Sequence, residues 1–388
     1  MELERLLAQY DFLVRKEQIA ETPAHPRDSA KLLVYNRATE TAEEDTFLHL
    51  DKYLDSGTLL ILNNTKVVPA RLPCFLPTGG KVELLWIAAG VQKKTFEALS
   101  PRILEIGSIL SFGELTLTVL SKIENIYVFI HSGTAAQFHA AMMKNGTTPI
   151  PPYLKHTSLE EKQLRAEYQT IFAKREGSVA APTASLHFTK RLFTKLKKKG
   201  VKIAYVTLHV NLGTFAPLTE EHLKSGKLHE EWYEIPRATA RAIAQAKQEG
   251  RPVIPVGTTA LRTIESAFFQ LSPTSQKAGI AGEGLCSPTG RSPSNFPAGK
   301  LCTRAGNSRL SGITSLFIRE GYQFKVADGL ITNFHVPRSS LLMLVAALVG
   351  YRPGLRHADG RKKILDLYQS ALRSGFRFFS FGDGMLIR

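Results

Sequence analysis

The chain has 388 residues, 43% hydrophobic and 22% charged, with 50 Lys and Arg against 34 Asp and Glu for a formal net charge of +16. Apolar content of that order excludes an intrinsically disordered chain and suffices for one large domain or two smaller ones. Its three cysteines, Cys74, Cys286 and Cys302, form no CxxC pair and exclude a disulfide framework. The cationic excess favours a polyanionic partner, nucleic acid foremost, against the plainer reading of solubility or lineage bias.

In chain order, MELERLLAQYDF mixes acid and base without the apolar core of a signal peptide, so a reducing, cytoplasmic setting is expected. Residues 1–65 read as a lead-in ending in the buried strand TLLILNN. Between 66 and 150, KVELLWIAA, KTFEALSP, SILSF, ELTLTVLS and NIYVFIHS are short, β-rich and punctuated by Gly, Pro, Asn or Ser. That spacing predicts a small all-β barrel or sandwich inserted into a larger domain. The proline-rich TTPIPPYLKH has the stiffness of a linker.

From about 157 onward, helix and strand alternate. The basic run KRLFTKLKKKG predicts a helix stopped by Gly200, followed by the strand VKIAYVTLHV and the helix PRATARAIAQAKQEG. RPVIPVG, TTALRTIESAFFQ, GLITNFH, SSLLMLVAALVG, RKKILDLYQSALRS and FRFFSFGDGMLI continue the pattern. Such alternation means βα units around a mainly parallel sheet, hence an α/β main domain from 1–65 and 151–388 carrying a β domain at 66–150. Residues 271–312 interrupt it: 18 of these 42 residues are Gly, Pro or Ser, which reads as a disordered insertion. The run LLMLVAALVGY at 341–351 is shorter than the roughly 20 residues that span a bilayer, so no membrane segment is expected.

Polar residues recur where predicted strands end: His209, Asn211, Gly213 and Thr214 in TLHVNLGTF, then Gly257, Thr258, Thr259 and Arg262 in VGTTALR. Asn333 and His335 follow in TNFH, and Asp383 in FSFGD. In parallel α/β folds ligands bind beyond the carboxyl ends of strands. Alone, each piece is as well explained by a helix cap or a core histidine. Their recurrence predicts one polar floor, into which His187 of GSVAAPTASLHFT also points. There is no GxxxxGK[ST], GxGxxG or GxSxG, which disfavours triphosphate hydrolysis, ordinary dinucleotide binding and a serine hydrolase. The histidines lack HxxxH spacing and no cysteine accompanies them, so no metal is expected. Lys195, Lys197, Lys198 and Lys199 form either a solvated face or a phosphate contact.

The segments NNTKVVPARL, GGKVELL, PPY, GSVAAPTASLHFT, TLHVNLGTF, VGTTALRTIES, TNFHVPRSSLLMLVAAL and FRFFSFGDGMLI stand in one order from about Tyr10 to Ile387. In that order the chain resembles the S-adenosylmethionine:tRNA ribosyltransferase-isomerases of queuosine biosynthesis. The resemblance implies a barrel-like α/β main domain with mainly parallel strands and an inserted β-barrel. It implies transfer and isomerisation of the ribosyl part of S-adenosylmethionine onto 7-aminomethyl-7-deazaguanine at the tRNA wobble position. The products would be epoxyqueuosine-tRNA, adenine and methionine, with no cofactor beyond the cosubstrate. Some positions differ from the family pattern: Ser185 and Asn211 stand where glycine is usual, Ser340 for threonine, and Phe381 and Gly384 alter the SYGDAM ending.

A sulfonium acidifies the neighbouring ribose C5′ hydrogens, so a neutral histidine is a suitable base, with His187, His209 and His335 as unranked candidates. Asp383 or a histidine would donate the proton to departing adenine. Gly257, Thr258, Thr259 and Arg262 would hold the methionine carboxylate or ribose hydroxyls, Asn333 would orient a neighbour, and Tyr153 would stack on the target base. The expected partners are S-adenosylmethionine and the anticodon loop of a tRNA, bound by a monomer. Two rivals stand beside this reading: a tRNA-binding homologue with impaired catalysis, and a small-molecule methyl or nucleosidyl transferase.

Overall fold

The computed structural model describes residues 2–211, 218–271, 309–352 and 359–388. Helix α1 (Glu2–Ala8) precedes a hairpin of β1 (Lys31–Asn36) and β2 (Thr41–Thr46), then the wholly buried β3 (Leu59–Asn63) and the short β4 (Thr65–Val67). The lead-in, expected only to end in a buried strand, thus contains a hairpin as well. Only β1 carries the apolar run, LLVY, whereas β2 is the polar TAEEDT on a sheet edge and leaves no alternating signal.

The inserted segment carries β5 (Arg71–Phe75), β6 (Lys81–Ala89), β7 (Thr95–Leu99), β8 (Ile109–Phe112), β9 (Leu115–Ile123) and β10 (Ile126–His131). They close in the order β10-β7-β6-β5-β8-β9. Alternation builds the interior: in β9, Leu115, Leu117 and Val119 point inward while Thr116 and Leu120 point out. Phe96 stacks on Phe129 at 5.2 Å and on Phe138 at 4.7 Å, so α2 (Ala135–Asn145) packs into the same core through Phe138 and Met142. Burying side chains of that size contributes roughly 1.5–3 kcal/mol each. Strand β5 is harder to see in sequence because Pro73 interrupts it, although its missing N–H is tolerated opposite Glu83.

After α3 (Glu161–Glu167), strand β11 (Arg175–Ser178) pairs in parallel with β4, just ahead of the six-stranded barrel in the chain. There Glu176 accepts from Lys66 Nζ at 2.9 Å and meets His139 Nε2 of α2 at 3.0 Å. Next come α4 (Lys190–Lys198), β12 (Lys202–Leu208), α5 (Glu220–Ser225), β13 (Lys227–Pro236), α6 (Arg237–Gln248), β14 (Val253–Val256) and α7 (Thr258–Leu271). The chain ends with β15 (Arg309–Leu316), β16 (Leu330–Asn333), α8 (Ser340–Gly350), α9 (Gly360–Arg373) and β17 (Gly384–Ile387).

Nine strands form one sheet in the order β15-β13-β12-β3-β14-β16-β17-β1-β2. β12, β3, β14 and β16 run parallel, as helical crossovers dictate, and β17 is parallel to β1. The pairs β15–β13, β13–β12, β16–β17 and β1–β2 are antiparallel. The expected parallel character therefore holds for the centre only, and the described strands form a mixed sheet. Residues 272–308 of the expected insertion lie outside the described residues, while Arg309–Gly312 belong to β15 rather than to a loop. No helix among the described residues is long and apolar enough to cross a membrane.

Candidate functional site

A cavity of about 480 Å³ opens at the carboxyl ends of the central parallel strands, within the usual range for small-ligand sites. β12 delivers Val210, β14 delivers Gly257, and β16 delivers Thr332, Asn333 and His335. The starts of α7 (Thr258, Thr259) and α8 (Ser339, Ser340, Leu341) converge on the same space, so two helix N-termini with free amides face it. Gly257, at φ +89°, makes the sharp turn from β14 into α7. Asn63 braces this floor. Its Nδ2 donates to Leu208 O at 3.0 Å and Thr259 Oγ1 at 3.2 Å, while its Oδ1 accepts from the Leu208 and Thr65 amides.

Six of the residues expected from sequence line this cavity: Gly257, Thr258, Thr259, Asn333, His335 and Tyr153. His335 is half-buried in the wall, and desolvation there pushes its pKa down to about 4, so the ring is neutral near pH 7. Its Nε2 meets Thr332 Oγ1 at 2.8 Å, which leaves Nδ1 for a ligand. Asn333 donates from Nδ2 to Gly382 O, Asp383 O and His187 Nε2, whereas its buried Oδ1 has no partner. An unsatisfied buried acceptor in a cavity wall is a place for a ligand donor. Tyr153 is held by Ser380 Oγ at 2.8 Å and packs against Phe379 at 4.9 Å.

The other expected residues lie elsewhere. His187 is buried behind the floor, stacked on Phe47 at 4.0 Å, and reaches the cavity only through Asn333; burial pushes its pKa down to about 3. His209 sits between Trp232, at 5.1 Å, and Gly177, where an added Cβ would lie 3.1 Å from its Nε2. Its Nδ1 meets Thr65 Oγ1 at 2.8 Å, and burial with nearby Arg175 lowers its pKa to about 4. Arg262 faces away from the cavity. It is buried, ion-paired through Nη1 with Glu231, and donates from Nε to Leu316 O at 3.2 Å.

Asp383 does not end a strand, as the sequence reading had it; β17 begins one residue later. The reason is the turn before it, where Phe379 takes φ +73° and Gly382 packs so tightly that a Cβ would lie 2.4 Å from Arg377 O. Because β17 is antiparallel to β16, Asp383 still lands beside Asn333. Both its carboxylate oxygens are taken, Oδ1 by the Lys31 amide at 2.9 Å and Oδ2 by the Arg377 amide at 2.7 Å. Burial raises its pKa despite these donors.

The basic helix does not lead toward the cavity mouth. α4 runs away from the wall residues Thr183 and Ala184, and β12 returns after Gly200, whose carbonyl accepts from Gly57 at the opposite pole of the sheet. A strand the length of β12 puts the exposed Lys197, Lys198 and Lys199 on the order of 20 Å from the site. Lys195 is tied down by Leu48 O at 2.6 Å and Asp51 at 3.3 Å.

Sequence reading missed Tyr168, Thr332, Ser380 and Arg338 in the wall and Asn63 beneath it. The PRSS and NN steps inside the quoted motifs were the available signals for the last two. Gly213 and Thr214 lie outside the described residues, and among the described residues no three His, Cys, Asp or Glu side chains are grouped to hold a metal ion.

A family model described as queuosine biosynthesis protein matches residues 7–387. The chain belongs to this family. It is similar, at 39% identity over 98% of this chain and 99% of the other, to the S-adenosylmethionine:tRNA ribosyltransferase-isomerase of Carboxydothermus hydrogenoformans. At 37% identity over the same shares it is similar to the enzyme of that name from Aquifex aeolicus. A solved structure, S-adenosylmethionine tRNA ribosyltransferase from Thermotoga maritima, aligns with a TM-score of 0.50 at 28% identity, covering 98% of this chain and 100% of that one.

Proposed function

We propose that this chain transfers and isomerises the ribosyl part of S-adenosylmethionine onto 7-aminomethyl-7-deazaguanine at the wobble position of a tRNA, giving epoxyqueuosine-tRNA, adenine and methionine. The observation that carries this reading is the family match over nearly the whole chain, coincident with a cavity whose wall holds a neutral histidine and an unpartnered Asn333 oxygen. The cavity suits the cosubstrate: Asn333 Oδ1 asks for a donor such as an amine or hydroxyl, and the amides opening α7 and α8 ask for an acceptor.

Bound there, S-adenosylmethionine supplies a sulfonium that acidifies the C5′ hydrogens of its ribose. His335 Nδ1 accepts a proton, since the depressed pKa keeps the ring unprotonated near neutrality while Thr332 fixes its orientation. Gly257, Thr258 and Thr259 hold ribose hydroxyls. Tyr153, anchored through Ser380, presents its ring to the incoming base. His187 keeps Asn333 oriented and is a positioning residue. The division into a main domain (1–65 and 151–388) and a barrel domain (66–150), a barrel-like curl of the main sheet, a monomeric state, a cytoplasmic setting and the anticodon loop as docking element belong to the same reading.

The test is an end-point incubation with S-adenosylmethionine and tRNA bearing 7-aminomethyl-7-deazaguanine, followed by mass spectrometry of the digested tRNA and assay of free adenine. Both products are expected. Salt-sensitive tRNA binding with neither product would instead identify a non-catalytic binder.

A further inference from the structure

Among the described residues that line the cavity, Arg338 is the one with a fixed charge; the wall contains no carboxylate, and His335 is neutral near pH 7. Arg338 is held in an uncommon conformation, φ +58°, between Pro337 and Ser339, and its amide donates to Tyr10 O at 3.0 Å. A non-glycine residue kept in the left-handed region costs free energy that the surrounding contacts must offset, and such positions concentrate where a side chain has to be aimed. Immediately after it, Ser339 caps α8, whose first amides, those of Ser340 and Leu341, have no acceptor within their own helix. A cation and an eleven-residue helix N-terminus in one wall make a place for a small anion.

That guanidinium is already engaged, but by a weak partner. Nη2 donates to both carboxylate oxygens of Glu4, at 2.6 Å to Oε1, and Nη1 lies 3.9 Å from Asp11 Oδ2. Glu4 belongs to the short helix α1, and its side chain is 71% exposed. A solvent-exposed ion pair contributes little and is easily exchanged for another carboxylate. The zwitterionic amino-acid end of S-adenosylmethionine carries such a carboxylate, and Arg262, the residue the sequence suggested for it, is buried against Glu231.

Resting on the reading of S-adenosylmethionine as cosubstrate, we propose that Arg338 anchors its α-carboxylate, and that Glu4 occupies the guanidinium until the ligand displaces it. The exchange is carboxylate for carboxylate, so no net charge is buried and no proton moves. Helix α1 is then a strap released at one contact by ligand entry. The guanidinium selects cosubstrates bearing a carboxylate over those that lack it.

Isothermal titration of the full chain with S-adenosylmethionine and with its decarboxylated analogue tests this. Wild type should bind the carboxylate-bearing ligand more tightly. Arg338→Ala should weaken S-adenosylmethionine about ten- to a hundredfold, as loss of a charged hydrogen-bonded partner implies, and leave the decarboxylated analogue unchanged. Arg338→Lys should recover part of the loss, and Glu4→Gln should tighten S-adenosylmethionine by up to about fivefold by removing the competitor. Equal weakening of both ligands by Arg338→Ala, or weaker S-adenosylmethionine binding in Glu4→Gln, would overturn the proposal while leaving the cosubstrate reading intact. Wild type that binds neither ligand would overturn both. Should Arg338→Ala melt below the wild type by circular dichroism, Arg338→Lys and Glu4→Gln carry the same comparison.

Discussion

Replacing Asp383 separates a chemical role from a structural one. Its buried carboxylate takes the Lys31 amide at 2.9 Å and the Arg377 amide at 2.7 Å, so it pins the start of β1 to the turn that carries Phe379 and Ser380 into the cavity wall. Asp383→Ala leaves two part-buried N–H donors unpartnered at about 1–3 kcal/mol each, or about 2–6 kcal/mol together. For a chain of this size that lowers the melting temperature by roughly 3–7 °C. Asp383→Asn keeps one acceptor and should fall between. Burial raises this carboxyl's folded pKa above 3.8, so its favourable contribution is complete below that value and is lost as pH rises through the folded one. The stability of wild type relative to Asp383→Asn should accordingly decline from pH 4 to pH 7. Differential scanning calorimetry with adenine release measured in parallel reads both quantities. An Asp383→Ala protein that melts with the wild type yet releases no adenine would refute the structural account and return the residue to the reaction as proton donor.

His335→Gln should lower turnover by about 10²–10⁴-fold, the usual contribution of a positioned base, with S-adenosylmethionine affinity little changed; turnover within tenfold of wild type would remove it from that role. Alanine at Lys197, Lys198 and Lys199 together should leave tRNA affinity and its salt dependence nearly unaltered, because these residues stand at the far pole of the sheet. A salt slope shallower by about three would bring them back into the interface. His187, His209 and His335 have folded pKa values of about 3, 4 and 4 against an ordinary 6.5. The stability they contribute is therefore present above 6.5 and lost as pH falls toward 4, at up to about 4 kcal/mol per pH unit if all three take up protons on unfolding. A melting temperature that stays flat from pH 6.5 to pH 5 would contradict their desolvation in the folded protein.

What the sequence reveals follows from which signals are local. β3, β14 and α8 read correctly because burial on all sides leaves an uninterrupted apolar run. The β1–β2 hairpin did not, since half of it is an acidic edge strand whose only structural signal is its partner. Of the residues expected in the site, most that line the cavity stand at or just past a strand end: Gly257, Thr258, Thr259, Asn333 and His335. Not every polar group near such an end faces the cavity. Arg262 lies one turn into α7, where the helix has rotated it toward Glu231. His187 and His209 lie one layer behind, where they orient Asn333 and brace Thr65. Only tertiary packing separates a lining side chain from a bracing one, and periodicity carries no record of it.

The same separation bears on whether the departures from the family pattern impair the site. Ser185 closes the turn Thr183–Ser185, in which Thr183 and Ala184 line the cavity and Ser185 does not; its side chain is buried in the protein with its hydroxyl unpartnered. An added hydroxymethyl there consumes internal space beside β16 and costs a buried polar group, a matter of stability on the order of 1–3 kcal/mol, and leaves the ligand's volume alone. Ser340 does line the cavity, but relative to threonine it removes a methyl and widens the space rather than closing it. Asn211 is absent from the wall formed by the described residues, where its neighbour Val210 takes the lining position. The structural case for a catalytically impaired homologue would need a side chain filling the cavity or a wall residue lost from it. These three substitutions supply neither, and the wall retains its neutral histidine, its unpartnered amide oxygen and its arginine.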